Sequence, residues 1–316
     1  MHPPTRPSTW KLLLAFAIIY FVWGSTFLGI RIGVREVPPL LFAGMRFFTA
    51  GVVLYGWTRI QNEAAPSRRE WVSISAIAFM IFVVDYGCLF WAEQRVPSGL
   101  AAVMLATIPL FMSLSEIVLL RTQRLTLRLA CALLIGLVGV AVLVSRTLTL
   151  GEAAIDPAGA TALVVAAASW SVASALMRKL RLPASKMVSS GAQMLAGGTF
   201  LFLASAAFGE WRGFDLQNVS RGAWLALVYL IFAGSIVGFT AYVWLLHHES
   251  PTRVGTYAYV NPVVAVAVGY FLGGEAIGMR TLTGTLLVLV SVVVITTTPT
   301  RAAAVARLKG SPQPVE

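Results

Sequence analysis

Two charged side chains stand where charge is costly. Asp85 lies in the middle of the apolar stretch 79–91, and Arg46 lies seven residues into the apolar stretch 39–58. At about 1.5 Å per helical residue, Arg46 is about 10 Å deep in its run, and Asp85, about eight residues from the end of its own, sits at a similar depth. An acidic group at the centre of a membrane helix costs about 2.5–3.5 kcal/mol on insertion scales, so its presence asks for a reason. One reason is a substrate or proton site at Asp85, with Arg46 as its ion-pair or coupling partner. The other is a structural ion pair that holds two helices together. Aromatic residues form a second set. Trp23 and Trp170 each fall about 12 residues into an apolar run, near its middle rather than at the ends where tryptophan collects. Tyr20, Trp23 and Phe27 follow helical spacing, and Trp170 shares a face with Ser174. These rings either pack helix on helix or line a cavity. Trp91 and Trp244, close to the ends of their runs, read as interfacial anchors.

A third set is built around proline. The segment Thr256-Tyr257-Ala258-Tyr259-Val260-Asn261-Pro262 places polar groups before a residue that lacks a backbone donor. Such a residue frees carbonyls about a turn earlier, and a helix broken this way can expose its backbone to a cavity. Thr107 and Pro109 repeat the pattern in the first half. The expected substrate-binding set is Trp23, Thr26, Asp85, Tyr86, Thr107, Trp170, Ser174, Tyr257, Tyr259 and Asn261, with Pro109 and Pro262 as hinges. Glu116, four residues from the end of its run, is expected to reach water or Arg121. Glu275 reads as a helix cap or loop anchor, and His247-His248-Glu249 as part of a turn. Gly29–Gly33 and Gly269–Gly273 have the spacing of close helix contacts. Cys88 and Cys131, both in apolar runs, and His2, His247 and His248 suggest neither a disulfide framework nor a metal site. No cofactor is expected, and the sequence has no phosphate-binding loop through which ATP could drive a cycle directly.

The elements that must carry these residues are membrane spans. The chain of 316 residues is 58% apolar and 12% charged, with a mean hydropathy of +0.80. Soluble domains average about 25% charged, so a soluble enzyme is excluded, and disorder is excluded because so apolar a chain can bury its surface. Ten runs are long enough to cross the bilayer: 11–34, 39–58, 71–92, 97–120, 127–145, 157–177, 186–208, 222–246, 251–273 and 279–298. Pro38-Pro39, Pro97-Ser98, Asp156-Pro157 and Ser250-Pro251 mark helix starts. The first run is too long for a cleaved signal peptide. The net charge of +11 is a topology signal, not a nucleic-acid footprint: 16 of the 24 basic residues fall on one side of the spans and seven on the other, with Arg46 inside one. That bias predicts both termini in the cytoplasm.

The chain also repeats itself. A shift of 147 brings Trp23 onto Trp170, Arg31 onto Arg178, Gly44 onto Gly191 and Gly51 onto Gly198; a shift of 153 brings Trp91 onto Trp244 and Pro109 onto Pro262. The six extra residues fall around Gly209–Asn218. Each half has five spans, an odd number, so the second half enters the membrane upside down, as in many secondary transporters. The repeat partner of Arg46 is the neutral Gln193.

Several motifs now carry a resemblance. Trp23-Gly24-Ser25-Thr26-Phe27, Pro38-Pro39 and Gly44-Met45-Arg46-Phe47 resemble the EamA type of drug/metabolite transporter. So do Val96-Pro97-Ser98-Gly99 leading to Pro109, and Tyr257-Ala258-Tyr259-Val260-Asn261-Pro262 leading to Gly274-Glu275. The resemblance spans about residues 11–298 and implies an all-α integral membrane protein of ten transmembrane helices in two inverted five-helix repeats. They would cover 11–147 and 156–298, with 299–316 as a cytoplasmic tail, in a bacterial inner membrane. It also implies export of amino acids or related metabolites. Where the second half has Gly274-Glu275, the first has Thr122 in place of the acid, so that glutamate is not required in both halves. Few intramembrane charges and many aromatics point to a neutral or zwitterionic solute with an apolar or aromatic part, with proton coupling through Asp85 as an option. The alternative is an integral membrane enzyme acting on lipid.

Overall fold

The computed structural model describes residues 7–95, 101, 104–148, 156–264 and 279–298, and within them the chain is all-helical. Pro97-Ser98-Gly99, Gly269–Gly273, Gly274-Glu275 and the tail 299–316 lie outside the described residues.

The helices, renumbered in chain order, are α1 (Thr9–Gly33), α2 (Pro39–Ile60), α3 (Arg68–Ala92), α4 (Ile108–Leu120), α5 (Leu127–Leu148), α6 (Pro157–Lys179), α7 (Lys186–Ala207), α8 (Arg221–His248), α9 (251–264) and α10 (Met279–Thr297). Six of them are long and apolar enough to cross a membrane by themselves. Their starts are fixed by local chemistry. Ser67 and Glu70 form a reciprocal capping box on α3, which satisfies two donors that a helix start leaves open. Asp156, Ser185, Ser220 and Ser250 each cap the helix that follows. Pro39, Pro157 and Pro251 occupy first turns, where the missing N–H costs nothing.

The two halves meet along α2 and α7, and their contacts are reciprocal. A Cβ at Gly51 would run into the backbone of Leu195, and one at Gly198 into the backbone of Phe48. Under the shift of 147, Gly51 becomes Gly198 and Phe48 becomes Leu195. Gly44 against Phe202 and Gly191 against Tyr55 exchange in the same way. A patch that contacts its own copy in this manner marks a twofold relation; here it is an approximate one inside a single chain. The missing Cβ atoms let the backbones approach closely, as small residues do between membrane helices. At one flank α5 packs on α10, with Gly139 against Leu287 and Val288.

Both α3 and α8 widen into π-helical stretches of eight residues, Phe79–Tyr86 and Leu230–Val237. The wider turn re-aims the side chains around it, and such stretches recur at functional sites. Asp85 is on the first of them, and Ser235 on the second. The helix pair α4 and α9 is broken, and α4 also ends in a shorter π-helical stretch, Glu116–Leu120. Ahead of α4 the chain turns at Ala106-Thr107, and within α9 it turns at Gly255-Thr256. Each threonine donates to the carbonyl three residues back, Thr107 to Met104 and Thr256 to Arg253, both at 2.6 Å. The second break thus falls well before Pro262, which lies inside helix 257–264.

Candidate functional site

A narrow cavity opens where α1, α3, α4, α6 and α9 converge. From the first half come Trp23, Thr26, Phe27 and Ile30 of α1, Asp85, Tyr86 and Leu89 of α3, Leu105 ahead of the Ala106-Thr107 turn, and Ile108 at the start of α4. From the second come Trp170 of α6 and Tyr257, Ala258, Asn261 and Pro262 of α9. Its water-accessible volume is about 50 Å³. That is room for a few waters, since one needs about 10–15 Å³, and too little for a drug-sized solute.

Seven of the ten residues expected to bind substrate line this cavity, and so does the hinge candidate Pro262. The wall is aromatic. Trp23 meets Trp170 edge to face at 5.5 Å and Tyr257 at 4.8 Å, and Trp170 meets Tyr86 at 5.9 Å. Trp23 is held from behind by α8, because its indole N–H donates to the Gly234 carbonyl at 2.9 Å. With its amide turned to donate, Asn261 reaches the carbonyls of Tyr257 at 3.1 Å and Tyr20 at 3.3 Å, which ties the broken helix to α1. Asp85 is 4% exposed, and its carboxylate makes no hydrogen bond or ion pair among the described residues.

Three expected residues stand elsewhere. Tyr259 is two positions from Tyr257, and residues so spaced do not share a helix face. Its hydroxyl donates to the Leu133 carbonyl at 3.1 Å, in a separate cluster with Leu129 and Val288. Ser174 lies one layer behind the cavity, bonded to the Tyr242 hydroxyl and to the Trp170 carbonyl. Thr107 is spent on its own turn, and Pro109 sits in the first turn of α4.

Arg46 and Asp85 are not paired. Among the described residues the ion pair is Arg253–Glu249, at 3.1 Å. Arg46 is 1% exposed and turns to α8, where its Nε donates to Ser235 Oγ at 2.8 Å. Its guanidinium stands 4.5 Å from the Phe47 ring and 5.4 Å from the Tyr86 ring, a cation–π arrangement that offsets part of its desolvation. Its Nη1 has no hydrogen-bond partner among the described residues. The equal depth read from the sequence is compatible with a pair, but the helix turns direct the two groups to different partners.

Sequence reasoning missed Tyr242 and Phe239, which close the aromatic set behind the cavity: Tyr242 is 5.1 Å from Trp23 and 4.8 Å from Trp170. A signal was available for Phe239, which the shift of 153 brings onto Tyr86. It also missed what Glu116 does. Glu116 is 1% exposed, and its carboxylate crosses to the second half, where it accepts from the Thr252 amide at 3.2 Å and from the Thr252 hydroxyl. Close by, Tyr20 and Thr256 bond at 2.7 Å, and Arg178 donates to the Glu249 carbonyl at 2.6 Å. The Glu116–Thr252 and Tyr20–Thr256 bonds tie the two halves together at the Arg178 end of the cavity, while the Arg178–Glu249 bond lies within the second half.

A bundle of inverted halves around a cavity walled by both is the architecture of a secondary transporter. The chain belongs to the EamA-like transporter family, which residues 9–145 and 157–297 each match. It is 37% identical over 265 residues to "Uncharacterized inner membrane transporter YedA" of Escherichia coli, covering 83% of both chains. It is 25% identical over 281 residues to "Probable amino-acid metabolite efflux pump" of Salmonella typhimurium, covering 86% of this chain and 90% of that one. A solved structure titled "Crystal structure of protein" has the same fold, with a TM-score of 0.74 at 22% identity over 96% of this chain and 100% of that one. The protein is a transporter and not an enzyme, so the reading as a lipid-modifying enzyme falls.

Proposed function

We propose that the protein exports small neutral or zwitterionic organic solutes, amino acids with aromatic or hydrophobic side chains foremost, by alternating access. The observation that carries this reading is Asp85: a carboxylate without a hydrogen-bond or ion-pair partner among the described residues, set in a wall of aromatic rings. Such a site suits a ligand with one cationic group and one apolar group. The substrate's ammonium pairs with Asp85, and its side chain lies against Trp23, Trp170 and Tyr257. Asn261 and the broken turn of α9 supply polar contacts for the rest. The relative named as an amino-acid metabolite efflux pump supports the same substrate class.

In this reading a proton and the substrate's ammonium compete for Asp85, and that mutual exclusion is what exchange of one for the other requires. The repeats, 11–147 and 156–298, rock about the α2–α7 contact, with Pro109, Pro262 and the two threonine turns as hinges. Both termini lie in the cytoplasm in this reading, which the excess of basic residues on the Arg178 side supports, and the membrane is the inner membrane of a bacterium. The bonds of Glu116 and Thr252 then close the cytoplasmic end.

The test is counterflow in sealed proteoliposomes with a panel of labelled amino acids. Accumulation of labelled phenylalanine or leucine driven by unlabelled substrate, without response to aspartate or glutamate, is the expected result. A preference for anionic solutes contradicts the reading.

A further inference from the structure

At the other end of the bundle a second and larger cleft, of about 730 Å³, lies between the α1–α2 connection, α3 and the end of α7. It is separate from the aromatic cavity and shares no lining residue with it. Its rim is charged and its floor is apolar. At the rim stand Arg35 and Arg95, both exposed. From Arg95, three residues past the end of α3, the lining runs past Trp91 and Gly87 to Val83. Twelve residues at about 1.5 Å each make this a descent of about 18 Å, comparable to half of a hydrocarbon core about 30 Å thick. Leu40 forms part of the apolar wall.

The charges at the rim are unequally engaged. Glu36 accepts from the Ser220 amide at 2.6 Å and from the Ser220 hydroxyl at 2.8 Å. Glu210 accepts from the Leu40 and Leu41 amides at 3.2 and 2.8 Å and from Ser205 at 2.9 Å. Both carboxylates are thus committed to helix starts. Arg35 makes no hydrogen bond or ion pair among the described residues. Arg95 lies 3.9 Å over the Trp91 ring and donates from one nitrogen to the Trp91 carbonyl at 3.2 Å, which leaves most of its five donors available. Two guanidiniums at the rim of an apolar groove about as deep as one leaflet match one kind of molecule.

We infer that this cleft binds a phospholipid of the adjoining leaflet, with its phosphate held by Arg35 and Arg95 and an acyl chain laid along Trp91, Gly87 and Val83. Guanidinium forks suit phosphate oxygens, and tryptophan suits the boundary between headgroup and chain. The inference does not depend on the proposed substrate or direction of transport.

Native mass spectrometry of the full chain in detergent tests it, with dioleoylphosphatidylglycerol against dioleoylglycerol, which has the same chains and no phosphate. One phosphatidylglycerol should bind, about tenfold tighter than the diacylglycerol, and R35Q/R95Q should remove that preference while the protein stays folded. Equal binding of dioleoylglycerol, or an unchanged preference in R35Q/R95Q, overturns the inference. Displacement of the lipid by millimolar inorganic phosphate also overturns it, since the site would then be one for a soluble anion. Cys88 lines the cleft and gives a second readout in a Cys131→Ser background. Bound phosphatidylglycerol should slow its maleimide labelling severalfold; an unchanged labelling rate with lipid bound places the lipid elsewhere and contradicts the inference.

Discussion

Trp23 and Trp170 stand 147 positions apart in the chain and meet edge to face with their ring centroids 5.5 Å apart. Each half sends its copy of the same residue to the same place, and the cavity forms around that meeting. The two copies are held differently. Trp23 donates to the Gly234 carbonyl, whereas the Trp170 indole N–H is buried without a hydrogen-bond partner among the described residues. The twofold relation is therefore broken at the site itself.

Replacing either tryptophan with alanine should lower transport more than it lowers membrane expression. Aromatic pairs contribute about 0.5–1.5 kcal/mol beyond area burial, so apparent substrate affinity should fall about 2- to 12-fold per residue. Counterflow rates normalised to protein content check this. A loss confined to expression returns both rings to helix packing.

The α2–α7 contact makes a sharper structural prediction. Gly51→Ala drives a methyl into the Leu195 backbone and should cost about 1–3 kcal/mol through overpacking. Gly56 lies on the same helix with nothing near its missing Cβ, so Gly56→Ala should be neutral or stabilising by about 0.5–1 kcal/mol. Thermal unfolding in detergent separates the two, and equal effects would remove the close contact from the account.

Glu93, just past the end of α3, is buried with neither carboxylate oxygen hydrogen-bonded among the described residues, and burial pushes its pKa up to about 7 against the opposing charge of Arg31. A carboxyl whose folded pKa is raised holds its proton more tightly in the folded chain, so stability falls as pH rises from the ordinary carboxylate range through about 7. The melting temperature should drop between pH 5 and pH 8, and Glu93→Gln should flatten that slope and melt higher at pH 8. The slope corresponds to roughly 1–3 kcal/mol. An unchanged slope in the variant assigns it to other groups.

Orientation is tested by reporter fusions after residue 316 and in the connection near Gly151. The basic-residue bias predicts opposite sides, with the C-terminus cytoplasmic. The same side for both contradicts five spans in the second half.

Much of this architecture was legible in the sequence because membrane spans are long and their caps are local. The starts at Pro39, Pro157 and Pro251 follow from proline and its preceding cap. Trp23 and Trp170 were legible because the repeat copies them. What was not legible depends on helix phase. Local widening at Phe79–Tyr86 and Leu230–Val237 sets which way Asp85, Tyr86 and Ser235 point, and hydropathy carries no record of a wider turn. Arg46 was matched to Asp85 by depth alone, while its partner is Ser235 on a helix that depth cannot single out. Glu116 looked solvated because it lies near the end of its run, yet its partner, Thr252, is 136 positions away.

The measurement closest to the central claim is pH-dependent transport by Asp85→Asn in proteoliposomes, beside the wild type. Asparagine keeps the shape of the side chain and cannot exchange a proton. The account predicts that net uphill transport is lost and its pH dependence disappears, while equilibrium exchange of labelled for unlabelled substrate persists at reduced affinity. Uphill transport by Asp85→Asn with the wild-type pH profile would contradict it, and would make this carboxylate a structural feature of the bundle.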